Sequence, residues 1–391
     1  MDQATQASIG VRIAELLEAK TTHVDGGEAV VDAARYVDPA RFAVEKERLF
    51  RRHPVAAAHA SQLARPGDYL THDGTGTPIL LTRTADGAVA AHVNACRHRG
   101  TRLVCEAEGR NRQAFVCPYH GWTYDGGGRL RAVPHEHGFP SGPSSTLRLE
   151  PVTAAERAGL IFVQAEGGAP DGVDRLLAPL RGELEGWKLG AHVRFQPQDH
   201  VLQLNWKIAI EIFLEAYHLK VAHARSIYPL FFDNLGLSDS FEPHVRGVFP
   251  KRTITDALSR PTGSWALRDH ANILYFLFPN ALVLVEPDHL GVLLLQPVDP
   301  HTTALHTFLL IPEAPATEKA ERYWQKNHDV LLGAVREDVR LGESIQAGMR
   351  AGAVRQVRFG RFEHGLRYFA ESVDRRIAAA APPWQDPPGG T

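Results

Sequence analysis

The period of the hydrophobic positions changes several times along the chain, and each change predicts a change of structure. Over 11–21, VRIAELLEAKT, apolar residues recur at helical spacing and predict a short amphipathic helix. From about 41 to 165 the apolar stretches shorten to strand length, as in TPILLTR, AVAAHVNAC, AFVCPY and GLIFVQ, with Gly, Pro, Asp and Asn between them. That rhythm predicts a small all-β domain with tight turns, one of them at Asp125-Gly126-Gly127-Gly128. GAPDGVDRLLAPLRGEL (168–184) reads as a linker entering a short helix. A long helical pattern covers 201–227, strands return over 271–311, and a charged amphipathic helix is predicted over 316–349. The Pro/Gly-rich tail at 382–391 reads as frayed. These elements predict an α+β chain divided into an N-terminal helical segment (1–40), an all-β domain (41–165) and a mixed domain with an antiparallel sheet (166–391).

Composition narrows the function classes only slightly. The 391 residues are 44% apolar and 23% charged, and 43 Lys plus Arg face 45 Asp plus Glu. No basic stripe points to nucleic acid and no polybasic patch to a membrane surface. Met1–Lys20 lacks the apolar core of a secretory signal, and the apolar run from Ile273 to Val285 is interrupted by Pro279 and Asn280. Three cysteines cannot build a disulfide framework, so a reducing cytoplasm is expected.

Candidate chemistry lies in two places. In CRHRGTRLVCEAEGRNRQAFVCPYHGW (96–122), Cys96 and His98 form one short chelating pair, and Cys117 and His120 another. Four such ligands suit structural zinc. A Cys and a His in each pair also suit a [2Fe–2S] centre with thiolates on one iron and imidazoles on the other. Trp122 is placed to shield such a centre, and Cys105, between the pairs, reads as a small buried hydrophobe. The second place is NWKIAIEIFLEAYHLKVAH (205–223). On a helix, Glu211, Glu215 and His218 fall within roughly 60° of one another, whereas His218 and His223 lie about 140° apart. For both imidazoles to meet one ion, the helix must bulge or end between them. Asn205 reads as a helix N-cap. In VREDVRLGESIQ (335–346), Glu337, Asp338 and Glu343 are the available carboxylates.

CRHRG followed by CPYHGW resembles the motif of Rieske [2Fe–2S] domains in ring-hydroxylating oxygenases, and the likeness extends from about residue 40 to 370. It implies that Cys96 and Cys117 hold one iron of the cluster and that His98 and His120 hold the outer one. NWK with E-x-x-x-E-x-Y-H-x-x-x-x-H is similar to the mononuclear iron segment of the same family. By that resemblance His218 and His223 are two ligands of Fe(II) and Asp338, followed by Gln346, is the third. Asn205 then lies near the iron. Glu215 stands where the family commonly has a bridging Asp between His120 of one subunit and His218 of the next; its other reading is a group that hydrogen-bonds His218 and fixes its tautomer.

The resemblance further implies a helix-grip (START/Bet v1-like) catalytic domain and an oxygenase component that uses O2 and an organic substrate. An NAD(P)H-dependent reductase, with or without a ferredoxin, is the expected electron donor, since no GxGxxG segment follows a strand here. The assembly implied is a homotrimer, with or without a β subunit. Hydroxylation or oxidative demethylation of an aromatic or other small compound is the leading expectation. The alternatives are ring cis-dihydroxylation, a Rieske electron carrier with an inactive second site, and a zinc-stabilised binding module. Phe213, Tyr217, Phe276, Phe278 and Leu284 are the candidate pocket residues, and Trp265 and Tyr275, with Glu215, would suit a cationic amine.

Overall fold

Two seven-stranded antiparallel sheets organise the chain, of which the computed structural model describes residues 1–139 and 146–379. The tail over 382–391 lies outside the described residues. One sheet belongs to a unit formed by Lys46–Leu176, the other to a unit formed by Met1–Glu45 with Leu177–Ala380. These units divide the chain differently from the expected bounds at two places. The N-terminal segment does not stand apart over 1–40. It joins the second unit because Tyr36 and Glu45 are fully buried there, bonded to Glu211, Trp206 and Lys207. The break expected at 165 falls instead at the end of helix Gly172–Leu177. The first helix, Gln3–Ala19, is longer than the 11–21 pattern, since the Asp2 side chain caps it by accepting from Thr5 N at 2.7 Å.

In the unit Lys46–Leu176 the strands follow the order Val55–His59, Leu160–Gln164, Pro151–Arg157, Val89–Val93, Ile79–Arg83, Tyr69–His72, Glu108–Gly109. A smaller sheet of Ala114–Val116, Thr123–Asp125 and Leu130–Ala132 carries the second Cys/His pair between its first two strands. Phe115, Tyr124, Leu103, Val104 and Trp122 form a buried cluster around Cys96 and Cys117. Cys105 is exposed, contrary to expectation: it lies in the irregular segment before Glu108–Gly109, outside that cluster.

The second unit's sheet runs Val193–Leu202, Thr302–Ile311, Leu290–Asp299, Ala281–Val285, Ala271–Leu277, His244–Pro250, Leu237–Phe241. In Ala281–Val285 and Leu290–Asp299 consecutive residues are buried, which requires cover on both faces. Helices Trp206–Glu211, Glu318–Arg350 and His364–Ala378 pack on this sheet. The 33-residue helix buries Leu332, Val335, Asp338, Gly342, Gln346 and Met349, one stripe at three- and four-residue steps. The helix expected over 201–227 is not continuous. The chain leaves a strand at Leu202, forms Trp206–Glu211, unwinds, and takes one further helical turn at Leu219–Ala222. Among the described residues no helix is long and apolar enough to cross a membrane.

Candidate metal centres and the cavity beside one of them

Cys96 and Cys117 each open a tight loop of the same construction. Gly100 N–H donates to Cys96 O and Cys96 N–H to Thr101 O, both at 2.8 Å. Gly121 N–H donates to Cys117 O at 3.0 Å and Cys117 N–H to Trp122 O at 2.8 Å. Gly100 and Gly121 have φ of +81° and +73°, a region open to glycine at little cost. The loops bury both sulfurs and turn the two imidazoles toward each other, with His98 Nδ1 3.1 Å from His120 Nδ1. Trp122 stacks on His98 with ring centroids 5.0 Å apart and planes 9° apart. Tyr124 Oη lies 3.4 Å from Cys96 Sγ and accepts from Arg97 N–H at 3.0 Å, a contact that spacing within the motif does not reveal. Burial pushes the Cys96 thiol up, against hydrogen bonds from Tyr124 and the backbone at His98. Two adjacent buried thiols become thiolates only beside a strong cation, so the donor set fits a metal centre.

The second constellation is assembled from two distant segments. His218 and His223 occupy the two ends of the turn Leu219–Ala222, which brings their ring centroids to 5.2 Å. The long helix supplies Asp338 from its buried stripe. One ligand atom from each of His218, His223 and Asp338 lies within 4.8 Å of the other two. Asp338 Oδ1 is 3.5 Å from His218 Nε2 and 2.9 Å from His223 Nε2. Three donor atoms this close together, two of them imidazole nitrogens and one a carboxylate oxygen, suit a shared metal ion.

The outer nitrogens are both held by carboxylates. Glu215 Oε1 is 2.5 Å from His218 Nδ1, while its Oε2 accepts from His218 N–H at 3.0 Å. Glu337 Oε2 is 2.6 Å from His223 Nδ1 and accepts from Ser226 Oγ–H at 2.6 Å. Such partners present each Nε2 lone pair inward. Burial works against the imidazolium of His218, but the Glu215 hydrogen bond and the charges of Glu215 and Asp338 outweigh it, and its pKa rises. Of the three carboxylates offered by 335–346, Glu343 does neither job: its Oε1 accepts from Gln203 N–H at 2.9 Å. Glu211 is turned away from Glu215 and His218 to the hydroxyl of Tyr36. The common face expected for the three does not form, because the helix carrying it ends at Glu211. Asn205 performs as an N-cap, accepting from Lys207 N–H at 3.0 Å and donating to Pro300 O at 2.8 Å. It does not line the cavity beside the ligands.

That cavity, about 80 Å³, has an apolar wall. Cross-strand pairs Phe249/Asn272 and Leu274/Leu284 form one side. Leu331, Ala334, Val335 and Asp338 of the long helix form another, and Phe213, Leu219, Ile227 and Phe231 close it. Phe213 and Leu284 are thus where the sequence expects them. Tyr217 is 56% exposed against Phe362, while Phe276 and Phe278 are core residues, Phe276 packed edge-on to Phe369. Trp265 and Tyr275 are engaged away from the cavity, Trp265 Nε1–H with Arg260 O and Tyr275 with Glu183 and Trp187. The expected aromatic cage for a cation loses both of its rings.

Residues 53–143 match the model of the Rieske [2Fe–2S] domain, and residues 184–379 that of the ring-hydroxylating alpha subunit catalytic domain. The chain is 35% identical over 221 residues to the chlorobenzene dioxygenase subunit alpha of Cupriavidus sp. strain PS12, an alignment covering 55% of this chain and 49% of that protein. It is 28% identical over 364 residues to the carnitine monooxygenase oxygenase subunit of Escherichia coli K12, covering 87% and 91%. Among solved structures, a quaternary ammonium Rieske monooxygenase with a bound inhibitor superimposes with a TM-score of 0.77 at 24% identity, over 89% of this chain and 95% of that one. At that identity the likeness shows a shared fold.

Proposed function

This chain belongs to the ring-hydroxylating alpha-subunit family of Rieske non-haem iron oxygenases, and on that premise we propose that it is a monooxygenase that hydroxylates, or oxidatively demethylates, a small and largely apolar organic compound. The observation that carries this reading is the convergence of His218, His223 and Asp338 on the wall of an apolar cavity. Cys96 and Cys117 would hold one iron of the cluster, His98 and His120 the other, and His218, His223 and Asp338 the mononuclear iron. When bound, the cluster supplies electrons one at a time and the mononuclear iron supplies the site at which O2 is reduced.

The chain's own residues do the rest. Glu215 and Glu337 hold the outer nitrogens of His218 and His223, so each imidazole offers Nε2 to the metal. Trp122 and Tyr124 cover the cluster end of the other unit. Phe213, Phe231, Phe249 and Leu284 exclude water from the reacting compound. Glu215 has both oxygens committed to His218, which supports the orienting role. Its remaining lone pairs suit the bridge to His120 of a neighbouring copy, in a head-to-tail homotrimer with or without a β subunit. The exposure of His120, Tyr119 and Val221 supports such contacts. An NAD(P)H-dependent reductase, with or without a ferredoxin, is the donor, and three cysteines, too few for a disulfide framework, suit a reducing cytoplasm.

The apolar wall also favours a second reading, ring cis-dihydroxylation, as does the likeness to chlorobenzene dioxygenase. Iron analysis after loading, with labelled O2 and a surrogate reductase, decides. The proposal expects two cluster irons plus one more per chain, and one labelled oxygen retained. Two labelled vicinal hydroxyls would assign dioxygenation. Cluster iron alone, without substrate-dependent O2 uptake, would leave an electron carrier.

A further inference from the structure

We propose that Gly247 and Gly291 determine which substrates the cavity admits, by letting Phe249 and Leu331 lie back against bare backbone. This rests on the oxygenase reading of the same cavity and names what sets the free width beside its candidate ligands.

The strand pairing puts Gly247 opposite Leu274, Leu274 opposite Leu284, and Leu284 opposite Gly291. Residues directly opposite share a face of the sheet, so these four form one row with a glycine at each end. Leu274 and Leu284, in the middle, line the cavity, whereas the two glycines do not. Over each glycine lies a side chain of a residue that does. A Cβ at position 247 would meet Cζ of Phe249 at 2.9 Å and its Cε2 at 3.0 Å. One at position 291 would meet Cδ2 of Leu331 at 3.1 Å. Both fall short of the roughly 3.5–4.0 Å at which carbon atoms pack. Glycine inside a strand costs stability and marks a close approach of other groups. Backbone conformation does not call for it here, since neither Gly247 nor Gly291 has a positive φ. Space does.

The Phe249 ring is backed at a second place, because a Cβ at position 236 would meet its Cδ1 at 3.0 Å. A methyl group at 247 therefore drives the ring off the sheet, toward the space it lines together with Leu219 and Phe231. Leu331, from the long helix, packs against the cluster that contains Leu309, the residue opposite Gly291. A methyl group at 291 lifts it from the same face. Leu274 and Leu284 thus form a floor, and Phe249 and Leu331 form side walls whose positions the glycines set.

The test is equilibrium binding of toluene and of the bulkier tert-butylbenzene to the as-isolated protein, read by headspace gas chromatography. In Gly247→Ala the ratio of the tert-butylbenzene Kd to the toluene Kd should rise on the order of tenfold, or tert-butylbenzene binding should vanish. Gly291→Ala should act in the same direction but less, its contact being the longer one. Gly247→Ala combined with Phe249→Ala should bring the ratio back to the native value or below. Phe249→Ala and Leu331→Ala alone, which open the same space, should lower it on the order of tenfold. A merely structural role for the glycines would weaken both hydrocarbons alike, and an unchanged ratio in Gly247→Ala overturns the proposal. So does a native protein that takes up neither hydrocarbon. The Rieske visible spectrum reports whether each variant folds. Should the two alanine variants not fold, Phe249→Ala and Leu331→Ala decide alone, and an unchanged ratio in them overturns the proposal. Failure of the oxygenase reading would appear instead in the iron count and O2 uptake, which this ratio does not enter.

Discussion

At the scale of single residues, the proposed mononuclear site depends on carboxylates beyond its three ligand candidates. Glu337 stood among three acidic candidates in 335–346, and adjacent helical residues point about 100° apart, so only one of the pair 337/338 can face inward. Asp338, which the family resemblance singled out, falls on the buried stripe with Leu332, Val335 and Gly342. Glu337, its side chain 40% exposed, reaches His223 Nδ1 from the edge of that stripe. No spacing rule identifies that contact, because His223 lies over a hundred residues away. Glu337→Ala should weaken Fe(II) binding by about 10- to 100-fold while leaving the Rieske spectrum intact, which a competitive chelator titration measures.

At the scale of elements, the decisive event is the break between Glu211 and Leu219. The intervening residues, IFLEAYH, contain neither Gly nor Pro, so helical propensity alone carries the helix straight through. Tertiary contacts stop it. Glu211 is held by Tyr36, and Gly365, near the start of helix His364–Ala378, sits against the carbonyl of Leu214. A Cβ at position 365 would meet Leu214 O at 2.8 Å. An exposed helical Gly→Ala change gains about 1 kcal/mol, but here the obstacle is backbone and must itself move. Gly365→Ala should therefore displace the loop that carries Glu215, lowering kcat on the order of tenfold. Iron content should be retained, and steady-state O2 uptake alongside iron analysis tests this.

At the scale of the whole molecule, the N-terminal segment is tied to the catalytic unit by buried charge. Lys207 Nζ donates to Glu45 Oε2 at 2.5 Å, Trp206 Nε1–H to the same oxygen at 2.9 Å, and Tyr36 Oη–H to Glu211. The Trp and Lys of NWK are thus explained by a partner about 160 residues upstream. Burial pushes the Glu211 carboxyl up to about 7, against Arg35 and the Tyr36 hydrogen bond. A carboxyl raised by folding lends stability that is full below its unfolded pKa, near 4.5, and lost as pH climbs through about 7. Glutamine has no proton to lose. Glu211→Gln should melt close to the native protein at pH 5 and above it at pH 7.5, by on the order of 2 kcal/mol. Thermal denaturation at the two pH values checks both the sign and the window.

The amino-acid sequence by itself determined the parts whose ligands are neighbours, the cluster loops with Cys96, His98, Cys117 and His120, and the α+β class. Short chelating pairs and hydrophobic periods are local, so they survive without knowledge of the fold. Tertiary structure alone decided where the helix after NWK stops, that His218 and His223 meet beside Asp338, and that Glu337 and not only Glu215 holds an imidazole. Each of those outcomes is set by contacts between segments far apart in the chain, and local propensity opposes or ignores them.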